Sequence, residues 1–134
     1  GANSYTEEGR KLVHKKLDGV DMAVLHNLMR NPIDGESIEF NDNRLSLYSA
    51  QKGKCAVTGK QMEADEVICI KKIPKEQGGT DKYSNLLLVC RKIQELLNVK
   101  DIKTFSEEMD KLNLDKKQSD KLLKLRSLAF VESR

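Results

Sequence analysis

The sequence is most informative first for what it lacks. It has only two prolines and eight glycines, so it is neither fibrous nor a low-complexity chain, and with 38% hydrophobic and 34% charged residues it reads as a helix-rich globule. No apolar run approaches the ~20 residues of a membrane span, which excludes a membrane-spanning helix. The polar start "GANSYTEEGRK" lacks the apolar centre of a secretion signal, so an intracellular, cytoplasmic protein without a membrane partner is expected. The first three residues are expected to come from a vector.

Cysteines are few and unpaired. Cys55, Cys69 and Cys90 are an odd number with no Cys-x-x-Cys spacing, which argues against a disulfide framework and against a zinc ribbon. Buried, reduced thiols are the expectation, and a three-cysteine zinc site completed by His14 or His26 has little support from spacing. Strong charge of one sign is also missing. The net charge is +3, below what holding nucleic acid by charge alone requires. Residues 1–53 carry seven basic and eight acidic side chains, residues 54–98 eight and six, and residues 99–134 nine and seven. The positive excess therefore begins with the loop-rich centre.

At 134 residues one domain is expected, long enough to bury a modest core. Thr6 offers a cap to a first helix, "EEGRKLVHKKL", with Leu12, Val13 and Leu17 on one face and Gly19 as its stop. Asp21 caps "MAVLHNLMRN", which Pro32 ends. "PIDGESIEF" reads as a turn and short extended stretch, and Asn41 as the cap of a third helix closed by Gly53. "CAVTGK" is a tight turn, while "EVICIKKI" and "NLLLVC" are short β-rich strands. "RKIQELLN" is helical. Thr104 to Glu107 form a capping box for the next helix, and Asp115 precedes a last one with Leu122, Leu125 and Leu128 on one side. The fold class expected is α+β and mostly helical. It comprises an N-terminal helical segment (1–53), a hairpin–helix core (54–98) and C-terminal helices (99–134) in one compact unit.

The run "GKCAVTGK", the strand leading into "KKIPKEQGGTDKYSNLLLVC" and the helix after it resemble the HNH family of metal-dependent nucleases. They are most similar to the HNH segment at the C-terminus of group II intron-encoded reverse transcriptases, or maturases. "YTEEGRKLVHKKL", "NPIDGESIEFNDNRLSLYSAQKGKCAVTG" and "LNLDKKQSDKLLKLRSLAF" resemble that subgroup too, so the likeness covers most of the chain. It implies a ββα-metal core, a strand His that binds the metal, an adjacent His that activates water, an Asn that fixes the loop and a helix His. Counted from Pro74 and Asn85, the strand positions hold Ile70 and Lys71, and the helix position holds Gln94. A further subgroup His position holds Asn98. Only Asn85 carries over.

Phosphodiester hydrolysis near neutral pH needs a cationic clamp on the phosphate and a base that titrates nearby. Ile70 is no base, and Lys71 brings a positive charge to where a cation would lie. Gln94 and Asn98 are weak neutral ligands. Asp65, Glu66, Asp81 and Glu95 are near in sequence, and ordinary surface carboxylates describe them best. Strand alternation puts Val67, Cys69 and Lys71 on one face and Ile68, Ile70 and Lys72 on the other, which would let Ile93 or Leu97 pack where water and metal would lie. No metal or cofactor is therefore expected, and no active catalytic residue.

What the resemblance then implies is a catalytically inactive HNH-like domain that contacts DNA or intron RNA, or supports upstream reverse transcriptase domains. Lys71, Lys72, Lys75, Lys82, Arg91 and Lys92 are the candidate phosphate contacts. The alternative for them is a solvated basic surface, and the residues alone leave both open. Tyr83 is the loop's one aromatic, for base stacking or turn packing. Two other functions stand beside this one. The first is a DNA-nicking enzyme using Mg²⁺ or Mn²⁺ with an unorthodox set such as Lys71 with Asp81 or Glu95. The second is a protein-interaction module docking on the parent polymerase or a second copy.

Overall fold

Gly19, with φ at 82°, reverses the chain between two short antiparallel strands, β1 (Lys16–Leu17) and β2 (Val20–Asp21). The computed structural model describes residues 16–17 and 19–129. Lys16 and Leu17, expected at the end of a first helix, are instead strand, because Gly19 serves a hairpin turn and not a helix stop. The other residues of that expected helix lie outside the described residues. Helix α1 (Met22–Arg30) starts where expected, with the Asp21 carboxylate accepting from Ala23 N at 3.0 Å and Val24 N at 3.2 Å. Val24 and Leu28 supply its buried face.

Helix α2 (Ile38–Ala50) begins four residues ahead of the Asn41-capped start. Ser37 is the cap, its Oγ accepting from Phe40 N at 2.9 Å. Asn41 is instead inside the helix, with its side chain bound to both the N–H and the carbonyl of Ile33. It ties the preceding turn to α2, and the stretch 38–40 read as extended is the first helical turn. The helix is capped at Gln51, and the left-handed C′ position expected for Gly53 is held by Lys52 (φ 56°), while Gly53 follows it and donates its N–H to the Tyr48 carbonyl at 2.9 Å. The Gly53 φ of 73° favours glycine, and a Cβ there would lie 2.7 Å from the Tyr48 hydroxyl.

The "CAVTGK" turn is closed by a bond from Cys55 N to the Lys60 carbonyl at 2.9 Å. Beyond it, β3 (Ile68–Lys71) and β4 (Leu86–Val89) form an antiparallel hairpin in which Ile68 faces Val89 and Lys71 faces Leu86. Cys90 leads straight into α3 (Arg91–Leu97). Helix α4 (Ile102–Asp110) starts earlier than the Thr104 box would allow. Asp101 accepts from both the N–H and the hydroxyl of Thr104, and so takes the cap role itself. In α5 (Lys116–Ala129) the Asp115 and Gln118 side chains each accept the other's backbone N–H, a reciprocal cap.

The architecture is α+β and mostly helical. Helix α2 packs on β4, and α3 lies against β3, α4 and α5. One core joins Leu28, Tyr48, Met62, Leu88, Ile93 and Leu122, with the hairpin at its centre. Each buried aliphatic side chain contributes roughly 1.5–3 kcal/mol, so the hairpin is held by apolar burial and not by any polar centre. Leu88 also binds outside its ladder. Its N–H and carbonyl both meet the Gln51 side-chain amide at 3.0 Å. No helix among the described residues is long and apolar enough to cross a membrane.

Candidate functional site

The loop between β3 and β4 is fixed by the Asn85 side chain. Its oxygen accepts from Ile73 N at 3.0 Å, and its amide donates to the carbonyls of Ile73 (3.1 Å) and Thr80 (2.8 Å). One side chain thus fastens both ends of the glycine-containing loop. Gly79 is pressed against that clamp, since a Cβ there would lie 1.6 Å from the Ile73 carbonyl oxygen.

Strand alternation then sends neighbouring side chains to opposite sides, as the sequence pattern predicts. Lys71 turns towards α2 and the loop. Its Nζ lies 3.1 Å from Glu36 Oε1, 3.6 Å from Asp81 Oδ1 and 4.7 Å from the centre of the Phe40 ring. Asp81 is held in turn by the Ser37 hydroxyl at 2.7 Å, and its carbonyl accepts from Asn43 Nδ2 at 2.8 Å. The pairing of Lys71 with Asp81 that an unorthodox nuclease would need is present, but as one leg of a structural ion-pair cluster. Cys69, on the same side, is pushed up to about 12 by burial, against the opposing pull of Arg44 and Lys71. The buried Arg44 spans α1 and α2, donating to the carbonyls of Leu28 and Asn31 at 3.4 and 3.3 Å.

On the other side lies a cleft of about 380 Å³ between the hairpin end, α3 and α5. Ile70, Gln94 and Asn98 line it, as does Lys71, whose ammonium group is nevertheless held by Glu36 and Asp81, so that the four positions from the strand and the helix border one space. Sequence counting thus places them around one space. Ile70 and Leu97 form apolar wall without filling it, so the cleft stays open where closure by packing is expected, while Ile93 is wholly buried beneath. Lys72 and Lys75 stand at the rim with a single carboxylate, Glu76.

The six candidate phosphate contacts divide sharply. Lys71 is clasped as described; Lys92 lies 3.5 Å from Glu108, and Arg91 donates to the Asp65 carbonyl at 2.6 Å. The ammonium groups of Lys72, Lys75 and Lys82 have no ionic or hydrogen-bonded partner among the described residues. Two further cations were missed from the sequence. Lys121 and Lys124 of α5 join Lys72 around a second cleft of about 230 Å³, which also shares Leu125 with the first. Their signal is helical spacing, for Lys117, Lys121 and Lys124 recur along one edge of the Leu122–Leu125–Leu128 stripe. Tyr83 is exposed and lines neither cleft.

The residues around the cleft do not suit a divalent metal ion. Ile70, Lys71, Gln94 and Asn98 offer an aliphatic chain, an ammonium and two neutral amides, and among the described residues no group of three or more His, Cys, Asp or Glu side chains converges to hold an ion. The three thiols are free. Cys55 accepts from the N–H groups of Thr58 (3.5 Å) and Cys90 (3.4 Å), and burial, which opposes ionisation, is outweighed by these bonds, so its thiol lies below the ordinary value. Burial and the neighbouring Cys55 push Cys90 up. Comparison with family models, curated proteins and solved structures finds no match for this chain.

Proposed function

We propose that the protein is a catalytically inactive HNH-like domain that binds the phosphate backbone of nucleic acid, in the setting of a group II intron-encoded reverse transcriptase. The observation that carries this reading is the cleft between hairpin, α3 and α5. The four motif positions surround it as Ile70, Lys71, Gln94 and Asn98, leaving neither a base near neutrality nor a ligand set, while the Lys72 and Lys75 ammonium groups beside it meet no partner among the described residues. Asn85, the architectural member of the motif, still clamps the loop. A scaffold kept without its chemistry can hold a phosphate but not activate water against it.

Plasmid relaxation with Mg²⁺ and with Mn²⁺, with EDTA controls, tests the inactive half of the proposal. The natural chain is expected to leave supercoiled DNA intact, and clear metal-dependent nicking would replace the proposal with the enzyme reading. Histidine at Ile70, Lys71 and Gln94 together is expected to create a metal site that single substitutions do not, because such residues act as a unit. Adding Asn98→His extends the series. A folded triple variant that binds no Mn²⁺ would count against the HNH assignment itself.

A further inference from the structure

Four lysines that no carboxylate among the described residues holds converge from two elements about fifty residues apart in sequence. Lys72 and Lys75 come from the hairpin end, and Lys121 and Lys124 from α5. The two clefts they line meet at Lys72 and Leu125, and so form one groove. Other lysines close by are neutralised within the fold: Lys71 by Glu36 and Asp81, Lys92 by Glu108, and Lys116 by Asp120. Among the described residues the groove sets one carboxylate, Glu76, against the four cations, and Asp120 of α5 is already taken by Lys116. Like charges gathered across a cleft repel, and a bound polyanion removes that cost.

We propose that this groove is the seat of duplex DNA, with Lys72 and Lys75 on one side and Lys121 and Lys124 on the other contacting successive phosphates. The inference rests on the nucleic-acid reading above and adds α5, which lies outside the hairpin–helix motif, as half of the contact surface. The occupant follows from the lining. Among the described residues neither cleft has an aromatic side chain on which unpaired bases could stack, which disfavours a single strand. Lysines carried on an exposed α-helix suit the wide major groove of B-form DNA, whereas the deep, narrow major groove of A-form RNA does not admit a helix. The proposed contacts are all lysine ammonium groups on phosphates, so binding falls steeply with salt, and the amides of Gln94 and Asn98 are the described side chains of the groove able to meet a base edge.

The test is fluorescence anisotropy of a 20-base-pair duplex of arbitrary sequence, from 25 to 200 mM NaCl. Parallel arms use the single strand and an RNA duplex of the same length. The Lys121→Gln/Lys124→Gln chain is expected to lower the slope of log affinity against log salt by roughly 1.8, about 0.9 per lost phosphate contact. The affinity change between 50 and 200 mM salt then shrinks about tenfold. The Lys72→Gln/Lys75→Gln chain should match it, the Lys→Arg versions of both should restore the slope, and Lys103→Gln/Lys111→Gln on α4 should not alter it. Thermal melts of each variant confirm the fold, which these exposed positions do not support. Duplex binding whose slope survives Lys121→Gln/Lys124→Gln overturns the groove while leaving the nucleic-acid reading in place. Tighter binding of the single strand or the RNA duplex overturns the occupant. Absence of binding to all three overturns both the groove and the reading beneath it.

Discussion

Lys71 and Lys72 are neighbours with opposite fates, and the two sides of the hairpin differ as they do. On the α2 side the polar groups around the loop answer one another. Lys71 meets Glu36 and Asp81, Asp81 meets Ser37, and Asn85 meets both ends of the loop. On the α5 side the floor is Ile70, Leu97 and Leu125, and the lysine ammonium groups there meet no partner among the described residues. Residue type therefore says little about role in this molecule. A lysine on the first side is a cross-link and on the second a free cation, and a one-residue step along a strand separates them.

The most severe way to break the contrast is Gly79→Ala. The added methyl would collide with the Ile73 carbonyl and pry the loop from the Asn85 clamp, at a cost of about 2–3 kcal/mol. Urea unfolding should show the lowered midpoint; an unchanged midpoint would mean the loop contributes little to the ordered side. The strand itself offers the sharper comparison. Lys71→Met leaves Glu36 and Asp81 facing one another and should cost about 1–2 kcal/mol with no change in the salt dependence of DNA binding. Lys72→Gln should reverse the pattern, altering stability by less than about 0.5 kcal/mol and the slope by about 0.9. Equal effects of the two substitutions would erase the distinction between the sides.

The smallest effect is on pH. Burial pushes Cys69 and Tyr48 up to about 12, so both are neutral in the fold and ionise more readily in the unfolded chain. Their contribution is intact below the ordinary thiol range and is lost as pH rises from there towards 12. The Cys69 share is less than about 1 kcal/mol at pH 9.5. Comparing unfolding midpoints at pH 8 and pH 9.5 for the natural chain and for Cys69→Ala measures it; the variant should decline less.

The hairpin and its helix were legible because local signals agreed there. β-branched residues at 67–70, the Gly78–Gly79 turn and the "RKIQELLN" pattern all matched the elements observed. Helix starts were less so, since Ser37 and Asn41, or Asp101 and Thr104, offer equivalent caps locally. What decides between them is a bond across the turn, such as Asn41 to Ile33, or a second cap bond, such as Thr104 to Asp101. In the site, counting from Pro74 and Asn85 placed the four motif positions at one cleft. Lys121 and Lys124 escaped because nothing local tells which loop α5 will lie beside. The engagement of Lys71 escaped for the same reason, for Glu36 is 35 residues away.

The Gln51 side chain has a consequence beyond the helix it ends. By offering Leu88 both an acceptor and a donor at 3.0 Å, its amide stands where a third strand would lie, on the side of β4 away from β3. The Ala56 N–H adds a second bond to the same carbonyl. A two-stranded ribbon with open flanks is a template for another copy of itself. Here the outer flank at Leu88 is shut by a side chain, so at that point the hairpin has no free backbone with which to recruit another strand and grow into an aggregate.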